Sequence, residues 1–141
     1  MANMFALAET RGSELRKVAF ETVTAARHAA DASGGGEVHA LVLGGPGAGA
    51  GAGELGRVGA DVVIVVEHEA FERYNAEVAA ATAADRIRSG GYRAAFFSAS
   101  AQGRDLAPRV AAKLAVPLAS HVTSFELAPD ALLAEHPAST G

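Results

Sequence analysis

The stretch from Ser98 to Leu114 holds the residue types best suited to chemistry. Ser98, Ser100, Gln102, Gly103 and Arg104 follow an apolar run, Ala94 to Phe97, and a helical pattern follows them. Small hydroxyls, a glycine and a guanidinium at a strand-to-helix junction suit an anion or a nucleotide. The first backbone N–H groups of a helix lack partners there, and the helix dipole favours negative charge. A structural reading accounts for the same residues. Gly103 then makes the turn, Asp105 caps the helix, and Pro108 sits in a first turn whose N–H groups are unpaired anyway. Arg104 and Arg109 then serve as structural ion-pair partners for Glu9, Glu14 or Asp105. Both readings stay open on these residues alone.

No other group of residues assembles a reaction centre. His28, His39, His68, His121 and His136 are scattered over different elements, without metal-ligand spacing. Glu67-His68-Glu69 reads as a solvated strand end. Ser98 and Ser100 lack the G-x-S-x-G context of a hydrolase nucleophile. Cysteine is absent, which removes disulfides, thiolate metal sites and thiol nucleophiles. The expectation is a chain with no catalytic residues and no metal. Gly51-Ala52-Gly53-Glu54-Leu55-Gly56 matches the dinucleotide fingerprint G-x-G-x-x-G. In that fingerprint the first glycine turns directly out of a strand into a helix. Here the preceding apolar run ends near Leu43, so the stretch reads as a helix or loop closing on Gly59.

The positioning elements follow from periodicity. Phe5–Ala8, Val38–Leu43, Val62–Val66, Ala94–Ser98 and Leu118–Leu127 read as five strands. They are apolar without alternation, as strands covered on both faces should be. A helix capped by Ser13 places Leu15, Val18, Ala19, Thr22, Ala25, Ala26 and Ala29 on one face and stops at Ser33-Gly34-Gly35-Gly36. A second helix, Phe71 to Ser89, turns Phe71, Tyr74, Val78, Ala81 and Ile87 inward and ends at Gly90-Gly91. Leu106–Leu114 belongs to a third. Strands alternating with helices predict an α/β fold: a three-layer α/β/α open parallel sheet, doubly wound, with strand order 3-2-1-4-5. The order reverses between strands one and four, so the ligand crevice falls at the loops Glu9–Ser13 and Ser98–Arg104.

The chain has 141 residues, 50% hydrophobic and 20% charged, with a net charge of −4. That is a soluble globular balance for one domain. No basic block supports nucleic-acid binding, and no apolar run approaches the ~20 residues of a bilayer span. With no signal peptide legible at the N-terminus, the expectation is a cytoplasmic protein. Residues 1–127 read as the α/β unit, and 128–141 as a tail resembling the truncated start of a segment that completes it.

In Ala6-Leu7-Ala8-Glu9, Leu15 to Glu21, Thr24-Ala25-Ala26, Val38 to Gly44, Leu55 to Asp61 and, most specifically, Gly103-Arg104-Asp105-Leu106-Ala107-Pro108-Arg109-Val110-Ala111, the chain resembles the N-terminal domain of the electron transfer flavoprotein alpha subunit. The resemblance runs in order along nearly the whole chain. It implies the fold of adenine-nucleotide-binding α/β proteins, similar to universal stress proteins. It also implies a bacterial heterodimer with a beta subunit, carrying electrons from flavin dehydrogenases to a quinone-linked or other acceptor. FAD belongs to the C-terminal half of such alpha subunits and AMP to the beta subunit, so no FAD contact is placed on these residues and none is expected bound to this chain alone. Glu9, Asp105 and Arg109 then become structural or interface residues. The glycine-rich stretch departs from the family, where larger apolar residues are expected. An uncovered interface could drive a homodimer of the isolated chain. The alternative is a free-standing adenine-nucleotide-binding module of universal-stress-protein type, using the loops after strands one and four.

Overall fold

Apolar runs become one sheet where helices cover both of its faces. The computed structural model describes residues 2–118 and 124–127. Its strands are β1 (Met4–Ala8), β2 (Thr10–Arg11), β3 (Glu14–Leu15), β4 (Val38–Gly44), β5 (Val62–Glu67), β6 (Ala94–Phe96) and β7 (Ser124–Glu126). Its α-helices are α1 (Lys17–Ala32), α2 (Ala76–Gly90) and α3 (Ala101–Leu114), with 3-10 helices at Ala48–Val58 and Glu69–Phe71. The large sheet has the order β5-β4-β1-β6-β7, which is the expected 3-2-1-4-5. Alternate residues of β1 serve opposite cores. Met4, Ala6 and Ala8 pack with α1 and the long 3-10 helix, while Phe5 and Leu7 pack with α2 and α3. Both faces of β1 are therefore apolar.

The last strand departs from a fully parallel sheet, because β7 runs antiparallel to β6, pairing Phe125 with Ala95. Residues 119–123 and the tail 128–141, with His121 and His136, lie outside the described residues.

Three helix boundaries differ from expectation. Ser13 caps nothing; it sits in the turn of a β2–β3 hairpin, and α1 starts after Arg16. Gly12, at φ +65°, makes that turn possible. The second helix begins later than Phe71, where the Asn75 side chain accepts the Val78 N–H at 3.2 Å. Its buried face is Ala79, Ala80, Ala83, Ala84 and Ile87; Tyr74, Val78 and Ala81 are exposed. Small alanines let this helix lie close to its neighbours, and that selects their stripe over the larger side chains. The third helix begins at Ala101 rather than near Leu106, so Pro108 lies inside it and not in its first turn. Proline has no N–H for the carbonyl four residues back, that of Arg104.

The glycine-rich stretch is the 3-10 helix Ala48–Val58, closed by Gly59 at φ +117°. Glu67 at the end of β5 accepts the N–H groups of Gly49 at 2.8 Å and Gly47 at 3.2 Å. Those bonds, Gly49's foremost, hold the Glu67 carboxyl below its ordinary pKa. The chain's own carboxylate thus occupies the anion position that a dinucleotide reading would reserve for phosphate. At the opposite end of the strands, Arg27 ties two turns together. Its Nη1 donates to Gly59 O at 3.2 Å and Asp61 Oδ2 at 2.8 Å, and its Nη2 to Gly36 O at 2.7 Å. Asp61 Oδ2 also accepts the Val38 N–H at 2.9 Å.

Candidate functional site

At the carboxyl ends of β1 and β4 the sheet opens into a cleft of about 310 Å³. The β2–β3 hairpin forms one wall and Phe71 to Asn75 another, with Gln102 and Leu106 of α3 completing the lining. Strand order predicts the crevice between β1 and β6; the cleft shares the loop after β1, which contributes Glu9 to Gly12, but lies over β1 and β4 instead. The loop after β6 contributes far less than expected. Of Ser98, Ser100, Gln102, Gly103 and Arg104, only Gln102 lines the cleft.

Each of the other four has a different position. Ser98 is buried at 1% exposure, its hydroxyl 3.0 Å from that of Thr22 on α1. Ser100, and not Asp105, caps α3, accepting the Gly103 N–H at 3.1 Å. Gly103 lies so close to the preceding chain that an added Cβ would stand 1.8 Å from the Ser98 carbonyl oxygen. Only glycine fits that approach. Arg104 is exposed and pairs with neither Glu9, Glu14 nor Asp105.

Glu9 is the buried charge of the site, at 2% exposure. One carboxylate oxygen accepts the Ser100 hydroxyl at 2.5 Å, and the other pairs with Arg16. The backbone N–H of Arg16 also returns to Glu9 O at 3.0 Å. A carboxylate thereby stands beside the Ser100 cap at the N-terminus of α3, the position that favours an anion. Arg16, rather than Arg104 or Arg109, supplies the counter-charge.

Asp105 and Arg109 form a second group, on the exposed side of α3. The Tyr74 hydroxyl donates to Asp105 Oδ2 at 2.7 Å, and Arg109 pairs with Asp105 at 3.4 Å and Glu77 at 3.2 Å. The Tyr74 hydrogen bond, with Arg109 nearby, lowers the Asp105 pKa below its ordinary value of 3.8. Desolvation and the Asp105 charge push the Tyr74 phenol well above its ordinary 10.0. The group fastens the loop before α2 to α3.

Sequence reasoning missed Arg11, Arg16, Arg73 and Tyr74. A signal for the first two exists: Gly12-Ser13 between Arg11 and Glu14 has the glycine-first form of a two-residue hairpin loop. Among the described residues no group of histidine, aspartate and glutamate could hold a metal, and no helix is long and apolar enough to cross a membrane.

A mainly parallel sheet flanked by helices, with a cleft at the carboxyl ends of its strands, defines an open α/β domain. The chain belongs to the electron transfer flavoprotein family: the model of the electron transfer flavoprotein domain matches residues 4–141. It is similar to the electron transfer flavoprotein subunit alpha of Syntrophomonas wolfei, 35% identical over 127 residues, covering 90% of this chain and 38% of that one. It is also similar to protein FixB of Clostridium saccharobutylicum, 33% identical over 140 residues, covering 98% of this chain and 41% of that one. The chain therefore spans about two fifths of the length of these relatives and corresponds to the N-terminal portion of an alpha-type subunit.

Proposed function

We propose that this chain is the non-catalytic scaffold of an electron carrier: it docks the beta subunit and supports an FAD-holding domain supplied by the rest of an alpha subunit. The observation that carries this reading is the family match along residues 4–141, with alpha-type relatives at 33–35% identity. Electrons then pass from flavin dehydrogenases to a quinone-linked or other acceptor through the complete heterodimer, in the bacterial cytoplasm. Residues 1–127 form the α/β unit in this reading, and 128–141 belong to a segment that completes it. The flavin does not fit the chain's own cleft. About 310 Å³ is at the lower end of the ~300–1,000 Å³ range of ligand pockets, well short of a flavin dinucleotide. No residue here is assigned to FAD.

The competing nucleotide-module reading needs an anion at the Ser98–Arg104 junction. Against it stand the Glu9 carboxylate beside the α3 cap and the commitment of both serine hydroxyls. Glu9, Asp105 and Arg109 serve as fold or interface residues. The test is co-elution of the purified chain with a cognate beta subunit, beside calorimetric titration with AMP, ATP and FAD. A stable complex and no heat from any of the three is expected. Nucleotide binding without beta-subunit binding would overturn the scaffold reading.

A further inference from the structure

Most of the described arginines are committed. Arg16 pairs with Glu9, Arg27 with Asp31 and Asp61, Arg57 with Glu54, Arg88 with Asp85, and Arg109 with Glu77 and Asp105. Arg86 donates to the Tyr92 hydroxyl, and Arg93 is also engaged. The side chains of Arg11, Arg73 and Arg104 remain without a hydrogen bond or ion pair among the described residues. Two of these three, Arg11 and Arg73, line the same cleft. They come from different elements, the hairpin and the turn before α2, so proximity in sequence does not explain their meeting. The protein carries a net charge of −4, which makes two unanswered cations in one concavity harder to assign to chance.

The floor beneath them is apolar. Leu7, Leu43, Phe71 and Ala79 belong to the core yet keep 5%, 8%, 9% and 6% exposure, and all four line the cleft. Two carboxylates also lie in the lining. Glu9 is answered by Arg16, and Glu72 leans its side chain against Gly45, where a Cβ would meet its Cγ at 2.4 Å. Three arginines against two glutamates leave the lining positive.

We infer that this cleft binds a small organic anion, with its carboxylate or phosphate head between Arg11 and Arg73 and its apolar body on Leu7, Leu43, Phe71 and Ala79. Guanidinium forks match either head bidentately, and an apolar floor with few polar groups is the usual make-up of a small-molecule site. The site does not depend on the scaffold reading. Its two arginines come from the hairpin and the turn before α2, not from the α3 N-terminus, where Glu9 accepts the Ser100 hydroxyl.

Octanoate and phenyl phosphate serve as probes for the two heads, with octanamide and inorganic phosphate as body-only and head-only controls. They are titrated into the chain by calorimetry and by amide NMR. Octanoate, phenyl phosphate or both should bind one to one with Kd below about 1 mM, shifting Leu7, Leu43 and Ala79 amides. The tighter probe identifies the head. Arg11→Ala and Arg73→Ala should each weaken binding about tenfold, whereas Arg104→Ala, the unpaired arginine outside the cleft, should leave it unchanged. All three side chains are exposed, so folding is not at stake. No saturable binding of either probe, equal binding of a control, or undiminished binding in the Arg11/Arg73 double variant would overturn the site.

Discussion

Removing the Glu9 carboxylate strands two donors at once, the Arg16 guanidinium and the Ser100 hydroxyl. A buried charged pair broken from one side typically costs 3–5 kcal/mol, but Arg16 keeps 35% exposure and can turn to water. Glu9→Ala should therefore cost about 2 kcal/mol, read from denaturant midpoints at unchanged m-value. Glu9→Gln, which keeps an acceptor for Ser100, should cost less. A loss below about 0.5 kcal/mol, the range of ordinary surface changes, would show that this pair does not stabilise the fold. The Tyr74–Asp105 bond makes a pH prediction at the same scale. Asp105, with its pKa lowered, adds stability above its unfolded value, and that contribution is lost as pH falls through the folded value. Tyr74, with its pKa raised, adds stability fully present below pH 10, lost as pH climbs through the folded value. In Tyr74→Phe the Asp105 carboxyl loses the largest cause of its depression. Its carbon-13 titration should move up towards 3.8; an unmoved titration would assign the depression to Arg109 instead.

At the scale of elements, glycines divide by what surrounds them. Gly103 seats α3 against the end of the preceding chain, and its Cβ would clash with backbone that cannot rotate away. Gly103→Ala should destabilise by about 3 kcal/mol. Gly51, in the long 3-10 helix, has nothing within 4 Å of an added Cβ and no positive φ. Gly51→Ala should stabilise by about 0.5 kcal/mol through the unfolded chain's lost freedom. Thermal melts of the two variants should move in opposite directions, and a matched shift of either sign would contradict the division. The same contrast explains what could be read from residues alone. The stop at Ser33 and the closing of the glycine-rich helix at Gly59 are local events, set by glycines that accept positive φ. The face of α2 was not legible, because alanines and larger apolar residues offered competing stripes and only packing chose Ala79, Ala80 and Ala83.

For the whole molecule, strand order followed from the alternation of strand and helix, which few topologies satisfy, whereas the cleft lies over β1 and β4 and not at the β1–β6 reversal. The occupants of the crevice did not follow. Ser98 and Ser100 had suitable chemistry, but one hydroxyl is turned into the α1 interface and the other is spent on a cap and on Glu9. The side chains that do rim the cleft, Arg11 and Arg73, lie on a hairpin and a turn whose meeting depends on the full fold. β5 is the other feature that composition alone did not mark. It ends the described sheet with half-buried valines and isoleucine, leaving edge N–H and C=O groups with no described strand beyond them.

The Arg27 clasp binds the turns ahead of β4 and β5, at the end of the sheet away from the cleft. Architecture and recognition are thereby lodged at opposite poles of the strands. Residues 27 and 61 are held to their identities by carbonyls and N–H groups that cannot change, whereas Arg11 and Arg73 answer to no internal partner. Exchange of Arg11 and Arg73 therefore leaves the Arg27 clasp intact.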